Sequence, residues 1–250
     1  MPYRRLPNTD AARIRALKAA LKKGDSLDDI NQIAYSFPLK QKIDIFLPKF
    51  EIAITTSKAA REKQIENSRK FTELTKKARL YISHFIQVLN FTIARGELKP
   101  HARTFYGLDE KDSKVPNLLT EQELILWGEK VINGEQERLN NRYGNPIYSP
   151  AIALVRVSYE NFKQSYNFQK QLQVNSSRFS AEVAQFRDEA DALILNIWNE
   201  VENYFSPEKD EEKKRKHCEE YGLVYVFRKG ERERLKRKKD AEDITLKLPF

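Results

Sequence analysis

The chain has 250 residues, of which 40% are hydrophobic, 32% charged and 11% aromatic, with 8 glycines and a net charge of +9. That apolar content supports a folded core and excludes a disordered chain, and scarce glycine beside abundant Lys, Glu, Gln and Leu favours helix over sheet. Cys218 is the single cysteine, which excludes an intrachain disulfide and points to no oxidising compartment.

Within residues 1–23, Arg4, Arg5, Arg13, Arg15, Lys18, Lys22 and Lys23 stand against Asp10 alone. Residues 24–206 are nearly balanced, and the rest of the positive charge follows Pro207. Met1 to Pro7 lacks the apolar core of a signal peptide. The most apolar run, Tyr81 to Ala94, is interrupted by His84, Gln87 and Asn90, so no membrane span is expected. The expected location is cytoplasmic.

Asn8-Thr9-Asp10 opens a short helix with cap-type side chains, and Ile14, Leu17 and Leu21 form its buried stripe. Gly24 is read as its C′ residue. Ser26 is read as the cap of a second short helix carrying Leu27, Ile30 and Ile33, with Asp28 and Asp29 in its first turn.

Two stretches, 39–97 and 150–205, then read as single helices of about 55–60 residues, several times the usual helix length. At 1.5 Å per residue each is on the order of 80–90 Å long. The first carries Ile43, Phe46, Phe50 and Ile54, a polar middle from Ser57 to Ser68, and a resumed stripe at Phe71, Leu74, Ala78, Tyr81, Phe85 and Val88. Pro48 either kinks it or splits off a first piece. Gly96 and Pro100 stop it. The second carries Val155, Tyr159, Phe162 and Tyr166, then Phe179, Val183, Phe186, Ala190, Leu193, Ile197, Val201 and Tyr204.

Between the rods, residues 98–118 form a loop held down by Phe105 and Tyr106. Thr120 with Glu123 three residues later makes a capping box for a third helix, which carries Leu124, Trp127, Val131 and Ile132. Ser149-Pro150 is read as the N-cap and first residue of the second rod. After Pro207 a charged helical stretch leads to a β-prone run, Leu223 to Phe227. Ile244 to Leu248 is a second strand candidate that would complete a hairpin.

These elements specify a mainly α fold: an elongated antiparallel helical bundle built on two very long helices, with a small C-terminal β-hairpin. The bundle spans 1–206, as two apolar halves joined by a polar waist. Residues 207–250 form a charged extension and the hairpin. The short N-terminal helices complete one half, and the helix near 120–143 completes the other.

Chemistry-bearing motifs are sparse. His84 falls near an apolar stripe and reads as a core or boundary residue. His101 and His217 have no partner spacing. His217-Cys218 lacks the further ligands a zinc site needs. The Glu-x-x-His of di-iron bundles, nucleophile elbows and glycine-rich phosphate loops are absent. No catalytic, cofactor or metal residues are therefore assigned, and the expectation is a non-enzymatic interaction or scaffold protein. Its partner would be another protein or a second copy. The alternative is a nucleic-acid binder. Its contacts would come from Arg13, Arg15, Lys18, Lys22 and Lys23 of the first helix. The basic run with Arg228, Arg232, Arg234 and Arg237, close to Tyr221, Tyr225 and Phe227, would add to them.

Overall fold

The computed structural model describes residues 3–27, 32–231 and 233. The element order is β1 (Tyr3–Arg4), α1 (Asp10–Asp25), α2 (Phe37–Ala94), a 3₁₀ helix (Pro100–Tyr106), α3 (Glu121–Asn140), α4 (Ile152–Tyr204), α5 (Glu211–Glu220) and β2 (Tyr225–Val226). The two long helices have 58 and 53 residues. α2 continues through Pro48 without a break in assignment.

The chain divides into two units. One takes the residues up to Lys58 together with those from Arg178 onward, and the other is Ala59–Ser177. Each has its own apolar core. In the first unit, Ile43, Phe46 and Phe50 of α2 meet Val183, Ile194, Ile197 and Trp198 of α4, and Leu17 and Ala20 of α1 close the cluster. Ser36 bonds Glu200 while Phe50 packs on Phe186, so the two helices run antiparallel. In the second unit, Ile82, Phe85 and Leu89 of α2 pack with Val155 and Phe162 of α4, and Leu124 and Val131 of α3 complete the layer. Phe71 stacks on Phe162, and the Asn67 amide donates to Gln169 at 2.7 Å, again antiparallel. Fully buried Leu, Ile and Phe side chains each contribute about 1.5–3 kcal/mol, so both cores rest on the spacing of their apolar residues.

Local chemistry sets the helix ends. Thr9 accepts from the Ala12 amide and caps α1, and Thr120 and Glu123 form the expected capping box on α3. Gly96, at φ +79°, ends α2, with its amide donating to the Ile93 carbonyl. Three expectations are corrected. Gly24 lies inside α1 rather than beyond it, and Ser26 is the C-cap. The absent Cβ of Gly24 leaves room for the Tyr35 hydroxyl, which would stand 2.8 Å from it. Pro150 precedes α4, joined to Ser149 by a cis bond, and helix begins at Ile152. The expected helix around 28–33 lies mostly outside the described residues.

The Leu223–Phe227 run does supply a strand in a small antiparallel pair. Its partner is the N-terminal segment: Tyr3 pairs with Val226 and Arg4 with Tyr225. The Arg5 amide extends the ladder by donating to the Val224 carbonyl at 2.9 Å. The expected strand at 244–248 lies outside the described residues. The loop 98–118 is tied down, as Phe105 and Tyr106 suggested. Buried Arg103 donates to the Asp109 carbonyl at 2.5 Å and to Asn90, and Arg79 donates to the Leu118 and Leu119 carbonyls.

Candidate functional site

The first unit carries an open groove of about 630 Å³. Three segments build it: the chain leaving β1 (Arg5, Leu6, Pro7, Asn8), one face of α1 (Ala12, Arg15, Ala16, Ala19), and the turn between α5 and β2 (Glu219, Gly222, Leu223, Val224, Val226). Trp198 of α4 lies at its floor and is 1% exposed.

The shape follows from small residues. Alanines at 12, 16 and 19 put one low face on α1, and Gly222 lets the turn approach it. A Cβ on Gly222 would stand 2.8 Å from the Ala16 carbonyl oxygen, and its φ of +88° strains any other residue. The strand pair is anchored from below. Arg4 bonds Asn199 and Glu202, and the Tyr225 hydroxyl donates to the other oxygen of Glu202 at 2.8 Å. Burial pushes the Tyr225 phenol upward, and the Glu202 bond adds to that, so it stays a donor. Leu223, Tyr221 and Cys218 are buried in the core beneath. Burial also raises the Cys218 thiol and keeps it protonated.

The fold sorts the basic residues into two groups. Arg13 forms a bidentate pair with Asp191, both bonds at 2.8 Å, with 11% of its side chain exposed. That hydrogen-bonded pair raises the Arg13 pKa despite some burial. Lys18 reaches Glu51 and Lys23 reaches Glu220, each at 2.6 Å. These three hold α1 against α4, α2 and α5. Arg15 and Lys22 are exposed and make no ion pair among the described residues. Arg15 and Arg5 flank the groove, with Glu219 as its one acid. Arg228 is exposed and lies over the Tyr3 ring at 6.0 Å. Arg232, Arg234 and Arg237 lie outside the described residues.

His84 is exposed, not a core or boundary residue. His101 bonds Glu110 at 2.7 Å, and His217 stacks on Phe205. Among the described residues no three His, Cys, Asp or Glu side chains gather as metal ligands, and no helix is long and apolar enough to cross a membrane.

Sequence reasoning missed the buried polar cluster of the second unit. Glu135 and Arg138 are both 0% exposed. Arg138 grips Glu135 with bonds of 2.8 and 2.9 Å, donates to the Tyr143 and Asn145 carbonyls, and meets the Tyr106 hydroxyl at 3.0 Å. Tyr106 also donates to Glu135. Burial opposes the Arg138 charge, but Glu135 and Tyr106 together outweigh it and the pKa rises. Each buried side-chain nitrogen and oxygen of the cluster has at least one partner within the chain, and the cluster locks the connection after α3. Its signal was present: positions 128, 131, 132, 135 and 138 continue the α3 buried stripe through two charged residues. On the neighbouring face, Tyr159 bonds Glu129, and burial and that carboxylate push its phenol up to about 12.

No protein-family model matches the chain, and neither the curated proteins nor the solved structures include a match.

Proposed function

We propose that this chain is a non-enzymatic interaction protein, a helical scaffold whose first unit holds a short partner segment in the groove between β1, α1 and the α5–β2 turn. The observation that carries this reading is the division of labour among the α1 cations. Arg13, Lys18 and Lys23 are bound by carboxylates of the chain itself, whereas Arg15, with Arg5, borders an open groove lined largely by apolar residues. Apolar anchors supply most interface energy, and unpaired rim charges choose the partner. The groove therefore suits a peptide with an aliphatic or aromatic anchor next to Asp or Glu.

The test is selection of binding peptides from a random library against the intact chain, followed by affinity measurement on variants. Selected peptides should place acids beside an apolar anchor. Ala12→Trp, which fills the groove, and Arg5→Glu with Arg15→Glu should each weaken them about tenfold or more, roughly 1.4 kcal/mol. Peptides that bind these variants unchanged would refute the reading. Steeply salt-dependent retention on duplex DNA, lost when Arg228, Arg232, Arg234 and Arg237 are neutralised, would favour the nucleic-acid alternative instead.

A further inference from the structure

We propose that the first unit pairs with a second copy of this chain through the side of α2 and α4 that faces away from α1. The α2–α4 pair of this unit has two sides. On one, ion pairs tie α1 down: Arg13 to Asp191, Lys18 to Glu51 and Arg187 to Asp10. On the other lies an open groove of about 540 Å³. Phe46, Phe186 and Leu193 form its floor, and Ile45, 63% exposed, stands at its rim. It shares no residue with the groove beside α1.

The charges of this side are sorted by helix. Lys42 and Lys49 line the groove from α2, and Glu189 lines it from α4. All three are exposed, and among the described residues none makes an ion pair. Pro38, Lys42, Ile45, Lys49, Ile52 and Thr56 follow at steps of four and three, so α2 turns one coiled-coil-like edge outward. Exposed Glu182 carries the sign of Glu189 further along the α4 edge. Arg178, past the end of this stretch, lies over the Phe179 ring. The side is thus basic along α2, acidic along α4 and apolar between.

That sorting selects the occupant. Phe186 packs on both Phe46 and Phe50, so on an antiparallel helix Glu189, one turn further, is level with Ile45 and stands between Lys42 and Lys49 in height. A two-fold axis along the groove lays α2 of each copy on α4 of the other at unchanged height. Each Glu189 then enters between Lys42 and Lys49 of the other copy, and the same pairs form twice. Ile45, Ile52 and Phe186 close a four-helix core between them. A two-fold across the helices would instead set α2 on α2, lysine against lysine. A nucleic acid would meet the acids of α4. From Pro38 to Thr56 the side is about 27 Å long at 1.5 Å per residue, and two helices about 10 Å apart make it about 20 Å wide. That is on the order of 500 Å² per copy, near the roughly 1,000 Å² in total that marks the lower end of specific interfaces, so the dimer is a weak one.

Sedimentation equilibrium of the full chain up to about 100 µM tests the proposal, a range that captures even weak dimers. The expected mass at the top of the range is twice 29.4 kDa. Lys42→Glu with Lys49→Glu should weaken association tenfold or more, and so should Glu189→Lys, each with its far-ultraviolet circular dichroism unchanged. Mixing these two variants should restore a dimer, because each supplies the sign that the other has lost. If the lysine variant loses helicity, Ile45→Glu, at an exposed position, should still weaken association by the same factor. A chain that stays monomeric across the range, or a dimer indifferent to these charges, overturns the proposal.

Discussion

Arg138 and Gly134 lie four residues apart on α3 and constrain it in opposite ways. Arg138 neutralises a carboxylate that has no access to water. Arg138→Met leaves Glu135 buried and uncompensated, which should cost about 3–5 kcal/mol. Urea unfolding will read this as a lower midpoint. Adding Glu135→Leu should recover part of the loss, because an apolar pair of similar volume leaves no orphan charge. Gly134 concerns space. In a solvated helix Gly→Ala gains about 1 kcal/mol. Here a Cβ would stand 2.5 Å from the Phe105 carbonyl oxygen and 2.8 Å from the Tyr106 ring. Backbone cannot step aside cheaply, so Gly134→Ala should destabilise by about 1–3 kcal/mol. The sign of the measured change decides between propensity and close approach. The close approach at Gly134 carries no sequence signal, and the stripe that runs through Glu135 and Arg138 is easily passed over. A Glu-x-x-Arg pair reads as a surface pair until the elements packed over it are known.

Elements held together by apolar spacing were the legible ones. The long helices show because Phe, Ile, Leu and Val recur every three or four residues over tens of positions, and one polar stretch does not erase the period. Their caps show because Thr9 and the Thr120–Glu123 box are local chemistry. The strand pair was legible by half. Leu223 to Phe227 has the β-prone composition, but Tyr3-Arg4 is two residues long and carries no pattern. It becomes a strand because Glu202 holds Arg4 beside Tyr225. The groove depends on that pairing and on which face of α1 the turn approaches, so it could not be placed from spacing. Likewise the sequence shows seven early cations but not that Arg13 faces a carboxylate 178 positions away. Truncation after Ser206 tests the element. It removes buried Cys218, Tyr221 and Leu223 and leaves β1 without its ladder. Burial of Leu223 alone is worth about 1.5–3 kcal/mol, so the melting temperature should fall by several degrees or more. An unchanged melt in scanning calorimetry would mean that the α5–β2 segment adds nothing to the first core.

At the level of the whole molecule, the two units differ in how the chain enters them. Ala59–Ser177 is contiguous, with its own core and its own locked connections. Expressed alone it should fold cooperatively and keep slow amide exchange at Phe85 and Phe162. A fragment with only molten helicity would show that its core needs the rest of the chain. The first unit has no such contiguous piece. Tyr3 and Arg4 wait for Val226 and Tyr225. On a ribosome adding about 5–20 residues per second, that interval lasts on the order of ten seconds or more. During it Leu17, Ile43, Phe46 and Phe50 have been made, while Ile197, Trp198 and Leu223, which bury them, have not. The second unit can be finished in the meantime. The nascent first unit therefore keeps apolar surface uncovered for longer than the second. Pausing translation before codon 226 should lengthen its exposure to protease and leave the contiguous unit untouched.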